Sequence, residues 1–290
     1  MSRGSLKLLF VINSNSGKNS LPWEETIRNY FTGKDHSLSF FYLSPNPGQK
    51  ELKNALAEKP DRVIAVGGDG TISLVAQAVA GKFPMGIIPA GSANGMAKEL
   101  EIPLDPQEAL DIIENGQVSP SDAIRINGEI CLHLSDIGFN AQLIKYFDEG
   151  GLRGQWGYAR VLLKTLWNKR KMQVVIRKNK QEIKREAFMV VLANASKYGT
   201  GAVINPTGEL DDGEFEVVIV RKLAISEILK MLFLPQPFNP KKIEVIKASS
   251  VTISTGHSVH FQVDGEYKGR INGLSASILP RYIDLILPAG

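Results

Sequence analysis

The sequence predicts an α/β domain built on a parallel sheet, followed by a β-rich sandwich domain, with the boundary at residue 122. Three observations carry this reading. Over the first ~120 residues, short apolar runs alternate with segments of helical periodicity. Beyond Gly116 the texture changes to β-branched and aromatic runs separated by turn residues. In the first part, strands lead into glycine-rich loops, most plainly in "VIAVGGDGTI" at 64–73, where an apolar run meets three glycines in four residues around one aspartate.

In the first part, "LKLLFVI" (6–12), "SLSFFYL" (37–43), "DRVIAV" (61–66) and "MGIIPA" (85–90) read as strands. Between them "PWEETIRNYF", "QKELKNALAE" and "TISLVAQAVA" carry apolar residues at helical spacing, with Pro22 and Thr71 as starting residues. Strand and helix in regular alternation imply a parallel sheet covered on both faces. A helix at "LDPQEALDIIENG" closes at Gly116, and residues 118–139 read as paired strands around a turn at Asn127 and Gly128. Helical periodicity follows over 141–169. From 172 onward the chain is mostly strands: "MQVVIRKN", "REAFMVVLANA", "EFEVVIV", "KIEVIKASSVTIST", "VHFQVDGE" and "LSASIL", interrupted by one helix, "ISEILKMLFL". The last strand, "YIDLILPAG", fits either domain.

Composition narrows the class. A chain of 290 residues with 43% hydrophobic and 22% charged residues is globular and can bury two cores without staples. One cysteine, Cys131, excludes an intrachain disulfide and a cysteine-based metal site, and fits a reducing compartment. His36, His133, His257 and His260 lack zinc-ligand spacing; strand alternation accounts for the last two. The first apolar run is too short for a signal peptide, and no run reaches the ~18 residues of a membrane span. These features predict a cytoplasmic protein. A net charge of +4 suits an anionic partner such as nucleotide phosphate or a lipid surface, or simply a solvated basic face.

The chemistry concentrates in the loops. A strand that enters a glycine-rich turn and then a helix brings backbone close to phosphate and aims helix N–H groups at it. Asp69 cannot itself attract phosphate. It holds a magnesium ion that bridges phosphates, accepts a bond from a ribose, or caps a helix. "GIIPAGSANGMAKEL" (86–100) repeats the strand-loop-helix pattern, and "NSNSGK" after the first strand makes a third loop. No Walker A pattern is present, since Gly17 and Lys18 are followed by Asn19, and no G-x-G-x-x-G occurs.

In this order and spacing, "NSNSGK", "GGDGTI" and "GSANGMAKEL" resemble the diacylglycerol kinase and sphingosine kinase superfamily, including its compact bacterial lipid kinases. The first is similar to the family's Asn-Pro-x-Ser-Gly and the third to its Gly-Thr/Ser-x-Asn. "ELDDGEFEVVIV" (209–220) resembles the family's Asp-Gly strand, and "QVDGE" (262–266) its late Asp-Gly-Glu, so the resemblance spans nearly the whole chain. A Gly-Gly-Asp-Gly loop alone is shared with NAD kinases and phosphofructokinases.

The resemblance implies an α/β nucleotide-binding domain, a β-sandwich substrate domain and an active site in the cleft between them. It implies Glu266 as the general base, with Asp69 and Asp122 also catalytic. Asn13, Ser44, Gly67, Gly68, Asp69, Gly70, Thr71, Ser92 and Asn94 match the ATP-binding positions. Asp212 matches a Mg²⁺ ligand, with the backbone carbonyls of Glu209 and Glu214 beside it. Read from the residues alone, 264–266 also passes as a hairpin turn, "LDDGEF" as a loop, and Asp122 as a break between domains. Two departures stand out: Gly95 occupies the place of an aspartate common in bacterial members, and Ser14 that of a proline. Sphingosine and ceramide kinases also place a small residue at the first of these.

These features together imply an ATP- and Mg²⁺-dependent kinase acting on a hydroxyl of diacylglycerol, a sphingoid base or a related lipid. It would be cytoplasmic and peripheral to the membrane, with no nucleic-acid partner; the oligomeric state is open, a homodimer included. An NAD-kinase-type enzyme and a catalytically silent lipid- or nucleotide-binding protein are the alternatives. "GYARVLLKTLWNKRK" (157–171), with Trp167 and the Lys169, Arg170, Lys171 cluster, fits either transient contact with a headgroup layer or a solvated basic helix end.

Overall fold

The computed structural model describes residues 4–14, 16, 21–44, 49–150, 170–195, 204, 208–223 and 238–289, with backbone only at 49–51 and 147–150. The predicted helix at 225–234 and all of 157–171 except Arg170 and Lys171 lie outside the described residues. The chain forms two compact units, one of Met1–Asp122 with Pro280–Gly290, the other of Ala123–Tyr198 and Ala202–Leu279.

The first unit alternates β1 (Lys7–Ile12), α1 (Trp23–Tyr30), β2 (Ser37–Tyr42), α2 (Gln49–Ala55), β3 (Arg62–Gly67), α3 (Asp69–Val79), β4 (Met85–Pro89), α4 (Gly95–Glu99) and α5 (Pro106–Asn115). A 3₁₀ turn, Leu56–Glu58, ends the segment read as one helix at 49–58. The parallel order is β2-β1-β3-β4. Val63, Ile64, Ala65 and Val66 of β3 are fully buried, which explains why this central strand is apolar without alternation. Strand β2 lies at the edge and is only half-buried.

Local chemistry sets the helices. In α5, Asp105 accepts from the N–H of Gln107 at 2.9 Å and of Glu108 at 3.1 Å, Pro106 occupies the first turn, and Ala109, Leu110 and Ile113 are buried at helical spacing. In α1, Glu24 and Glu25 lie in the first turn and Arg28 in the last, matching the helix dipole, while Trp23 and Ile27 face the core.

The second unit contains the end of β5 (Gln117–Ile126), from Ala123 on, then β6 (Glu129–Cys131), β7 (Leu134–Gly138), α6 (Phe139–Gly150), β8 (Met172–Lys178), β9 (Gln181–Ala187), β10 (Met189–Ala193), β11 (Phe215–Val220), β12 (Ile243–Ala248), β13 (Ser250–Val263) and the first part of β14 (Glu266–Leu287). Its strands run in the order β12-β11-β10-β7-β13-β14, with β8 on β13 and β9 on β8. Strands β10 and β11 are buried on both faces. Val190, Leu192, Val217 and Ile219 enter one core cluster, and Met189, Val191, Val218 and Val220 the other. That is why both read as continuous apolar runs.

Two boundaries differ from the sequence reading. "KIEVIKASSVTIST" is two strands, β12 and β13, divided at Ser249. The separate strands read at "LSASIL" and "YIDLILPAG" are one strand, β14. Its final stretch returns to the first unit, where Leu285 pairs with Met85 in parallel. The buried positions change parity between Leu274 and Ala276 on one side and Ile283 and Leu285 on the other, with Pro280 and the left-handed Arg281 (φ 51°) between them, which is why one continuous strand reads as two runs.

Candidate active site

The three loops singled out in the sequence leave the carboxyl ends of β1, β3 and β4, and Ser44 follows β2. From β1 the chain crosses toward β2 at one edge, and from β3 toward β4 at the other, which makes a topological switch point between β1 and β3. Asn13 bridges that point. Its N–H donates to the Val66 carbonyl at 3.0 Å, and its Nδ2 to Thr71 Oγ1 at 3.0 Å.

Asp69 differs from its sequence reading. Helix α3 begins at Asp69, two residues before Thr71. The aspartate is half-buried. Its Oδ2 accepts from the Gly95 N–H at 3.0 Å and its Oδ1 from the Met96 N–H at 2.9 Å. It therefore caps a helix, but α4 and not its own, and ties the β3 loop to the β4 loop. Asn94, in the left-handed conformation with φ of 52°, closes the second loop by accepting from the Gly91 N–H at 2.8 Å and donating to the Gly91 carbonyl at 3.0 Å.

The glycines serve the same junction. A Cβ on Gly91 would stand 2.4 Å from Gly68 Cα, so the two loops touch backbone to backbone. A Cβ on Gly67 would stand 2.4 Å from Thr71 Oγ1. Thr71 is buried, with its hydroxyl held by Asn13. Gly70, Ser92 and Ser44 are exposed at their loops and remain available to a ligand. Asp122 is buried, and its Oδ1 accepts from the Arg281 N–H at 2.7 Å. It thereby anchors the returning strand.

The remaining predicted residues belong to the second unit. Glu266 opens β14 after a two-residue turn at Asp264 and Gly265, and its exposed carboxylate pairs with Lys268 at 3.1 Å. Asp212 accepts from the Glu214 N–H at 2.9 Å and from Lys247 Nζ at 2.7 Å; Lys247 also stands 3.6 Å from the nearly buried Glu216. The charge that the predicted Mg²⁺ would meet at Asp212 is thus already met by an ammonium. Glu209 lies before this loop, and no group of three His, Cys, Asp or Glu able to hold a metal occurs among the described residues.

Sequence reasoning missed a buried polar network around the Glu266 turn. The Asp264 carboxylate accepts from three consecutive N–H groups, Leu132 (2.9 Å), His133 (2.9 Å) and Leu134 (3.2 Å), and from Cys131 Sγ (3.3 Å). Burial pushes Asp264 above the usual carboxylate range while those amides pull it back. Burial also pushes the Cys131 thiol well up, so it stays a protonated donor. Next to it, Gln262 accepts from the Gly265 N–H at 2.8 Å and donates to Asp136 Oδ2 at 2.6 Å. Asp136 is buried with Asn140 Nδ2 and the Ala141 N–H as further donors, and burial raises it to about 6. The ring nitrogen Nε2 of His133 is buried without a partner. Position 136, a carboxylate between Ser135 and Ile137 in an apolar strand, is the one sequence signal of this network.

The chain matches two family models. Residues 7–126 match the diacylglycerol kinase catalytic domain, and residues 136–287 the YegS C-terminal NAD kinase beta sandwich-like domain. A diacylglycerol kinase of Bacillus subtilis is 27% identical over 246 residues, covering 81% of this chain and 80% of that protein. The crystal structure of a diacylglycerol kinase from Bacillus anthracis superposes with a TM-score of 0.75 at 21% identity, covering 97% and 96% of the two chains. An NAD kinase from Archaeoglobus fulgidus in complex with ATP gives a TM-score of 0.54 at 13% identity, over 97% of this chain and 93% of that one. At these identities the two solved structures speak for the fold.

Proposed function

This chain belongs to the YegS-like lipid kinase family, a kinase that phosphorylates an alcohol group, and on that premise we propose that it transfers the γ-phosphoryl group of ATP to a hydroxyl of diacylglycerol. The observation that carries the proposal is the junction of the β3 and β4 loops, where Asp69 is bonded to two amides of α4 beside the exposed Gly70 and Ser92. Phosphoryl transfer depends on holding phosphates in place and neutralising charge more than on covalent chemistry. A rigid pair of backbone loops at the carboxyl end of a parallel sheet suits that task.

The roles we assign are these. Gly70, Ser92 and Ser44 meet the nucleotide, while Asn13, Gly67, Gly68, Thr71 and Asn94 shape the loops that do so. Glu266 takes the proton from the acceptor hydroxyl, since its carboxylate is exposed at the start of a strand. Asp122 acts through the returning strand. Magnesium enters with ATP, whose phosphates and bound waters supply its oxygen ligands. Contact with the membrane surface is transient, and Arg170 is an exposed cation available for it.

Purified protein is incubated with radiolabelled ATP and vesicles carrying diacylglycerol or sphingosine, or with NAD in solution. Label in diacylglycerol supports the proposal; label in NAD alone overturns it. Glu266→Gln keeps the shape of the side chain and removes its basicity, so kcat falls by ~10²–10⁴-fold with the KM for ATP nearly unchanged. Turnover above a tenth of the original in Glu266→Gln removes the base assignment.

A further inference from the structure

The turn that carries Glu266 is held far more tightly than a two-residue hairpin requires. Asp264 and Gly265 have φ of 47° and 84°, the pattern of a type I′ turn, which an Asn-Gly or Asp-Gly pair forms from its own backbone preference. Here the first turn residue is also bolted to a different part of the sheet. Four donors on the 131–134 segment converge on one carboxylate, and the Asp264 N–H returns a bond to the Leu134 carbonyl at 2.9 Å. The second turn residue is held by Gln262, whose backbone carbonyl accepts from Ser135 Oγ at 2.6 Å.

Burying a carboxylate is costly, and a turn alone gains nothing from it. Gly265 and Glu266, by contrast, are exposed. One face of the turn is locked into the protein while the other presents a single acidic side chain. On the same strand Lys268 Nζ stands 3.1 Å from Glu266 and 3.2 Å from Glu129, so the carboxylate is steadied laterally as well.

We infer that Asp264 is a positioning residue for the transfer step, fixing the hairpin tip so that Glu266 meets the acceptor hydroxyl in one orientation. This rests on the assignment of Glu266 as the base. Misplacing a catalytic group by about 1 Å costs on the order of 10²-fold in rate. An asparagine at 264 keeps the turn preference but offers one acceptor oxygen and an amide that opposes the donors around it.

The test is a double-mutant cycle read in kcat, with folding followed by thermal melting. Asp264→Asn lowers kcat on the order of 10²-fold with the KM for ATP unchanged. In the Glu266→Gln background the same substitution lowers kcat by less than about threefold, because residues acting as a unit are not additive. Gly265→Ala provides a second route that leaves the buried carboxylate in place. A Cβ there meets nothing within 4 Å, so the change acts only on the backbone at positive φ, and kcat falls without a collapse of the fold. If Asp264→Asn does not fold, Gly265→Ala decides. Losses that add in the double variant, or variants that melt earlier but turn over normally, overturn the inference and leave the base assignment standing. Full turnover in Glu266→Gln alone overturns both.

Discussion

Two Asp-Gly pairs, one in each unit, are built alike and situated differently. Asp69, ahead of Gly70, accepts from two consecutive amides, and Asp264, ahead of Gly265, from three. Both carboxylates face their own backbone, not a ligand. Asp69 is half-buried at the first turn of a helix it caps, and its loop stays open to solvent at Gly70 and Ser92. Asp264 is half-buried as a residue too, but its carboxylate is enclosed by the 131–134 segment, where burial raises it. The first arrangement joins two loops that must jointly meet a ligand. The second braces a single side chain. An aspartate beside glycines therefore marks a place where backbone has to be held, and the neighbouring residues decide what for.

The comparison is broken most directly at Asp69. Asp69→Ala removes two bonds to a charged acceptor, each worth about 1.5–3 kcal/mol. Stability in urea should fall by about 3–6 kcal/mol, and lipid phosphorylation should drop below a hundredth. Gly91→Ala should reproduce the loss of turnover, since the new methyl would meet Gly68 Cα. Normal turnover in a destabilised Asp69→Ala protein would make the residue a strut with no part in phosphate handling.

An intermediate effect sharpens the buried side of the comparison. Asp136 titrates at about 6 in the folded protein and near 3.9 when unfolded. Between those values the native state binds the proton that the unfolded state has lost. The contribution of Asp136 is thus fully present below about pH 4 and disappears as the pH rises through 6. Asp264 acts in the same direction, whereas Glu24, Glu114 and Glu244, all lowered, act oppositely. Denaturant titrations from pH 4 to 7 on the native chain and on Asp136→Asn isolate the term: their difference should vary over this window and be flat above it. A constant difference would place the carboxyl of Asp136 in the ordinary range.

The smallest effect concerns Asp212. With Lys247 as its counter-ion, Mg²⁺ without nucleotide should shift the melting temperature little. Lys247→Met frees the carboxylate, and a larger Mg²⁺-dependent rise is expected there. An equal rise in both proteins would show that the ion displaces the ammonium.

Much of this was legible in the sequence. Periodicity located β1 to β4 and their helices because central parallel strands are apolar throughout while the helices between them are amphipathic. The three loop motifs located the junction, yet they misread Asp69, because a hydrogen bond from residue 69 to residue 96 depends on packing that no local pattern carries. The network around Asp264 was hidden for the same reason. Apart from the Cys131 thiol, its donors are backbone amides 130 residues or more away, and backbone has no sequence signature.

One feature of the first unit bears on how it is made. Its sheet is finished by the far end of β14, where Leu285 lies beside Met85 and the Arg281 N–H reaches Asp122. While the ribosome is still adding the residues between them, β4 therefore has an unpaired margin that only the far end of β14 can cover. Such distant pairing slows folding and leaves the nascent chain exposed to wrong partners. Synthesis of the second unit becomes an interval during which the sheet of the first unit waits incomplete.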